Sequence, residues 1–270
     1  MNTTKDMGIF GKLKILIFKH AIGTKPCTST SRTIGKPCTI VAERPTGSGT
    51  DRDPFILSTL GHLVWLSRNG WCWNAAFRQI KDIDAGKTRS LEGEFSPIGS
   101  SSIPFVGTYD GSGHIISGLS ISEPETDYQG FFGMTMNACI CNLGLPDVNM
   151  KGLNNVGGVV GYMNGGYIRN CYATGSVLGC YYVGGICGKA DFPDISDCYA
   201  TVAVNGGYFC GGLVGKSHAG IITRSYSTGC IFSAAESEYS GGFIGHNVGN
   251  STVIDRDIYN SDFFTDHTKS

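Results

Sequence analysis

Three aspartates have the type and spacing for acid–base chemistry. Asp82 and Asp84 stand two residues apart, which places both on one side of an extended strand, and Asp110 opens an Asp-Gly-Ser-Gly turn. Paired carboxylates on one face can act as acid and base in cleaving a glycosidic bond. An aspartate at a turn also binds a nearby backbone N–H, and all three precede the repeats, so structural duties outweigh a catalytic pair. The histidines are His20, His62, His114, His218, His246 and His267. His218 and His246 lie three and one residues past Gly215 and Gly245, so they share no column. Gly157-Gly158 has no strand–loop–helix context and is not a phosphate loop. Cys139 and Cys141 form a C-x-C, and Cys27 and Cys38 sit in two Lys-Pro-Cys-Thr copies, without a four-ligand zinc spacing. No catalytic residue, metal or cofactor is expected.

Tyrosine and threonine recur more regularly. Ile168-Arg169-Asn170-Cys171-Tyr172-Ala173-Thr174 returns as Ile195-Ser196-Asp197-Cys198-Tyr199-Ala200-Thr201 and as Ile222-Thr223-Arg224-Ser225-Tyr226-Ser227-Thr228. With Val177, Val204 and Ile231 pointing inward, period two turns Cys171, Ala173, Cys198, Ala200 and Val202 inward as well. Tyr172, Thr174, Tyr199, Thr201, Tyr226 and Thr228 then form an outward ladder, the candidate binding residues. Tyrosine supplies stiff amphipathic contact area for a sugar ring or a partner chain. The column holding Cys171, Cys198 and Ser225 wants a small side chain, which predicts free buried thiols rather than bridges.

What must position this ladder is a stack. Val156-Gly157-Gly158-Val159-Val160-Gly161 recurs at Val183–Gly188, Cys210–Gly215 and Ser240–Gly245, in steps of 27, 27 and 30 residues. Units of that length, rich in glycine and β-branched residues, are one supersecondary element stacked on itself. Glycine is 40 of 270 residues without an every-third period, which excludes collagen. No apolar run is long enough to span a membrane. Ile15-Leu16-Ile17-Phe18, between Lys14 and Lys19, is too short for the core of a secretory signal. The net charge of −1 hides an asymmetry. Residues 1–45 carry about +6 and the rest about −7. A basic leader can bind nucleic acid or a membrane surface, but a solvated tail is the plainer reading, and no nucleic-acid partner is expected.

The chain divides by composition into four parts. Residues 1–49 are a basic leader and linker, 50–129 an N-terminal cap with the first strands, 130–260 the repeat coils, and 261–270 a polar tail. Ser58 or Thr59 caps a helix from Leu60 to Leu66, and Ile80 and Ile83 lie on a strand running through Asp82-Ile83-Asp84. Helix and tryptophans together cover the open hydrogen-bonding end of the stack. The paired glycines serve either positive φ or close backbone approach.

The unit V-G-G-apolar-apolar-G followed by N-C-Y-A-T-G-S-V resembles the GLUG repeat of bacterial surface proteins and adhesins, some large streptococcal immunoglobulin A proteases among them. Asp53-Pro54-Phe55-Ile56-Leu57-Ser58-Thr59, Pro97-Ile98-Gly99 and Phe105–His114 resemble the segment that precedes such repeats, so the likeness covers residues 47–260. It implies a right-handed parallel β-helix, and with the repeat spacing and the capped helix the expectation is an all-β solenoid of about five coils of ~27 residues with a short helical N-terminal cap. It also implies an extracellular or cell-surface location and supplies no catalytic set. The leader and the unusual Cys187, Cys210 and Cys230 depart from it. The expectation is a non-catalytic binding or scaffold module that adheres to a surface glycan or protein, without a transmembrane segment and open to self-association. A carbohydrate-active β-helix enzyme (lyase or hydrolase) and a structural fibre subunit are the alternatives.

Overall fold

A computed structural model describes residues 39–90, 93–233, 239–249, 253–255 and 258–259. The chain divides into two units, Met1–Cys38 and Thr39–Ser270, and the first lies outside the described residues, as do residues 261–270. The expected leader and tail therefore fall largely on undescribed positions.

The second unit is a parallel β-helix with three sheets running along its axis. The long sheet stacks Phe55–Leu57, Ala76–Gln79, Thr108–Asp110, Phe132–Cys141, Val160–Arg169, Cys187–Asp191, Val214–His218 and Ile244–Val248, in that order. The second sheet stacks Ser120–Ser122, Gly144–Lys151, Tyr172–Leu178, Tyr199–Gly206, Tyr226–Ser227 and Ile258–Tyr259. The third holds Asn154–Gly157, Tyr181–Gly184, Tyr208–Gly211 and Ser240–Gly241. The ladders between successive coils are parallel, and residues 27 apart pair directly, as in Tyr172↔Tyr199↔Tyr226.

The inward columns follow from period two. Ile140, Ile168, Ile195 and Ile222 lie on one another, as do Val159, Ile186, Leu213 and Phe243, and all eight are buried. Cys171, Ala173, Val177, Cys198, Ala200, Val202 and Val204 point inward as expected, and no disulfide joins the described cysteines. Toward the N-terminus the interior widens and is filled by Phe55, Phe77, Phe105, Tyr109, Phe131 and Phe132, in ring contacts of 4.8–6.0 Å. The helix α1, Leu60–Arg68, adds Leu63, Val64, Trp65 and Leu66 to this cluster. Thr59 caps α1 by accepting from His62 N at 3.1 Å, worth about 1 kcal/mol, and Trp73 Nε1 donates to Leu66 O at its other end.

The expected strand through Ile80 and Ile83 is interrupted. Ala76–Gln79 pairs in the long sheet, whereas Ile83–Asp84 pairs separately with Ile116–Ser117, and Ile80 between them is 44% exposed. The cause is a corner. The chain must leave one sheet and enter another within four residues.

The glycine pairs serve close approach, not positive φ. Gly157, Gly158, Gly184 and Gly185 are absent from the described residues with positive φ. A Cβ on Gly185 would strike Gly212 O of the next coil and reach 2.5 Å from Ala200 Cβ. Gly185→Ala should lower stability by about 2 kcal/mol or more, read from the urea midpoint at unchanged slope. Burial together with Asp110 pushes the Cys141 thiol up to about 11, while burial encloses Cys171, Cys187 and Cys198. Among the described cysteines, Cys139 should alkylate before Cys141, and Cys171, Cys187 and Cys198 only after unfolding, as mapped by mass spectrometry.

Candidate binding faces

The aspartates that chemistry would require are each engaged by separate local partners. Asp82 Oδ1 accepts from Ile115 N and contacts His114 Nδ1, both at 3.1 Å, and these bonds hold its carboxyl below the usual range. Asp84 Oδ1 accepts from Gly86 N at 2.8 Å and starts the turn Gly86–Arg89. Asp82 and Asp84 are both exposed on either side of the buried Ile83, and each is bonded to a different backbone segment. Asp110 Oδ1 accepts from Ser112 N at 2.8 Å and Asn142 Nδ2 at 2.9 Å. Partial burial opposes its charge, but the bonds from Asn142 and Ser112 and the charge of Arg78 outweigh burial and lower its pKa. Among the described residues, no three His, Cys, Asp or Glu side chains gather to hold a metal. A polar cavity of about 210 Å³ beside Arg89, Ser120, Asn149 and Lys151 is smaller than the ~300 Å³ of ordinary small-molecule sites.

The structure brings the six ladder residues together on the second sheet. Tyr172 and Tyr199 stack with centroids 4.8 Å apart and planes at 3°, and Tyr199 and Tyr226 at 5.1 Å and 3°. The ring faces are therefore turned toward one another. What remains for a ligand is a row of ring edges and hydroxyls, plus the outer face of the terminal ring. Gly144 makes room for the first ring, since a Cβ there would meet Tyr172 Cε1 at 2.5 Å. Thr201 and Thr228 share a hydrogen bond of 3.1 Å between their hydroxyls. Thr174 instead accepts from Asp147 N at 3.0 Å, where a bulge between Ala173 and Gly175 shifts the register. Burial, then the neighbouring Tyr172 and Tyr226, raises the Tyr199 pKa, so its hydroxyl stays a donor.

Sequence reasoning missed a second column at the corner between the third and long sheets. Tyr128, Asn155, Tyr182 and Phe209 have φ of 62°, 56°, 58° and 57°. Left-handed backbone costs a residue with a bulky side chain about 1–2 kcal/mol, and Asn155 is the one inexpensive occupant. Tyr182 stacks on Phe209 at 5.0 Å, Phe209 on Tyr239 at 5.1 Å, and Tyr239 lies 4.4 Å from His246. Beside them Tyr162 Oη donates to Asp191 at 2.7 Å, and Lys189 Nζ lies 2.8 Å from the same carboxylate and 4.5 Å from the Tyr162 ring. Partial burial works against Asp191, yet Lys189 and Tyr162 lower its pKa on balance. The signal was present. An aromatic stands two residues before the first glycine at Tyr128, Tyr182, Phe209 and Tyr239.

The Tyr199 ring has two stacked neighbours, each contact worth about 0.5–1.5 kcal/mol. Tyr199→Ala should cost about 1–3 kcal/mol in urea unfolding, and Tyr199→Phe, which keeps both contacts, less than about 0.5 kcal/mol.

Comparison with known proteins agrees with the solenoid. Residues 152–178 and 179–205 match the GLUG motif. The chain is 34% identical over 142 residues to halomucin of Haloquadratum walsbyi, an alignment covering 50% of this chain and 2% of that protein. It is 30% identical over 128 residues to a protein of Evansella cellulosilytica named as a Gly-rich membrane protein, covering 46% of this chain and 15% of the relative. The chain thus spans a small fraction of the length of either relative. No solved structure matches it. Two GLUG motifs, at residues 152–178 and 179–205, thus lie inside an in-register stack of parallel coils.

Proposed function

We propose that this chain is a non-catalytic β-helical module of a cell-surface protein, serving adhesion through its outward tyrosine and threonine face. The observation that carries this reading is the registered row Tyr172, Tyr199 and Tyr226 with Thr174, Thr201 and Thr228 beside it. Because the rings face one another, the contact is made by hydroxyls at strand spacing, about 4.8 Å apart, and not by laying sugars on ring faces. A glycan, dense in hydroxyl donors and acceptors, suits such a row better than an apolar partner. The names of the relatives, halomucin and a Gly-rich membrane protein, support placement at a cell surface. The engagement of Asp82, Asp84 and Asp110 in backbone and amide bonds supports binding over catalysis.

The test is a glycan array probed with the full chain and with the Tyr172→Phe/Tyr199→Phe/Tyr226→Phe variant, which keeps the stack and removes the hydroxyls. Binding that the variant loses, with each glycan recovered intact by mass spectrometry, is the expected result. Equal binding by both proteins would remove the face from consideration, and a cleaved glycan would replace the module with an enzyme.

A further inference from the structure

The corner column carries charge as well as rings. Lys189, Lys216 and His246 are direct partners on successive strands of the long sheet. Like charges directly opposite each other on paired strands destabilise a sheet. Asp191 neutralises Lys189 at 2.8 Å and stands 3.9 Å from His218, but it forms no ion pair with Lys216. Among the described residues, no carboxylate lies within ion-pair distance of Lys216. Its Nζ sits 5.5 Å from the Tyr182 ring centroid and 5.8 Å from that of Phe209. Being nearly equidistant from two rings stacked 5.0 Å apart, the ammonium lies at the flank of the stack. The imidazole Nδ1 of His246 is enclosed with no hydrogen-bond partner among the described residues. Ring edges carry the positive part of the aromatic quadrupole, so this column presents edges and an ammonium of the same sign.

We infer that the corner formed by Tyr182, Phe209, Tyr239, Lys189, Lys216 and His246 is a second binding strip, for a linear polysaccharide bearing carboxylate or sulfate ester groups. The anionic groups pair with Lys216 and compete for Lys189, and the sugar backbone follows the aromatic column from coil to coil. An extended occupant fits because the column spans three coils without an enclosed pocket. A polysaccharide fits better than a peptide because the strands here already pair with the coils on either side, leaving no backbone edge for strand addition. Two lysines with one aspartate among them are too few for a nucleic-acid backbone, whose binding rests on many phosphate contacts. The left-handed aromatics point the same way: backbone strain that asparagine would relieve is kept where the rings are needed. The strip lies on different sheets from the tyrosine and threonine face, and its test is separate.

Retention of the full chain would be measured on immobilised polygalacturonate, heparin, neutral dextran and poly-glutamate, at low and high ionic strength. Salt-sensitive retention on polygalacturonate or heparin but not dextran is expected, the two arms separating carboxylate from sulfate recognition. Lys216→Gln should weaken it about tenfold, the loss of one charge-assisted contact, and Lys216→Arg should keep it. Tyr182→Asn/Phe209→Asn should weaken it by a similar factor while keeping the native circular dichroism, since Asn155 occupies the same backbone conformation one coil earlier. The Tyr172→Phe/Tyr199→Phe/Tyr226→Phe variant should bind as the parent does. Absence of retention on both anionic polysaccharides, equal retention on dextran or poly-glutamate, or indifference to Lys216→Gln would each overturn the inference.

Discussion

Successive coils approach so closely at the corner between the third and long sheets that no Cβ fits there. Gly157 lies against Val160 O of its own coil and 2.8 Å, measured from an added Cβ, from Ile186 O of the next. Gly184 repeats the arrangement against Cys187 O and, at 2.9 Å, Leu213 O. Overpacking here cannot be relieved by rotating a side chain, because the obstacles are backbone carbonyls. Everything else in the stack inherits this spacing. With the corner pinned once per coil, the strands between corners pair in register, apart from the shift between Ala173 and Gly175.

Register turns each residue choice into a column. An inward isoleucine at one rung calls for an isoleucine above it, as in Ile140, Ile168, Ile195 and Ile222. The outward side obeys the same rule with polar chemistry. Asn170 donates to Asn142 at 2.9 Å, and one coil later the same column becomes a pair of opposite charges, Arg224 with Asp197 at 2.6 Å. These positions all take left-handed backbone, with φ between 49° and 56°. Asparagine and aspartate tolerate that conformation, and arginine is accepted there beside the aspartate it pairs with. Tyrosine columns satisfy register by stacking, which spends ring faces on the fold and leaves hydroxyls for partners. Among the described residues, the lysines of the long sheet stack like charge on like charge with partial compensation.

Much of this was legible from residue order. The 27-residue step, the inward set Cys171, Ala173 and Val177, the helix after Thr59 and the outward tyrosines all follow from period and local propensity, because each depends on neighbours close in sequence or on one repeat distance. The ring orientation did not follow, since alternation says which side a tyrosine faces and not whether its plane lies along or across the axis. The Tyr182 and Phe209 column escaped for a related reason. One left-handed residue resets the alternation, so period two fails at the corner where these side chains sit. The strand expected through Ile80 and Ile83 failed in the same way, because a corner between Gln79 and Ile83 breaks what local pattern joins.

Repeat spacing and glycine placement by themselves determined that this chain forms a stack of parallel coils, which residues fill it, and which tyrosines and threonines line its second sheet. Only the tertiary structure decided that the paired glycines serve close contact and not positive φ, that the tyrosine rings lie face to face, and that Lys216 stands beside the rings of Tyr182 and Phe209. The reason is physical. Membership of a column depends on distance along the chain, whereas the direction of a side chain at a corner depends on backbone angles set by the coils packed above and below it.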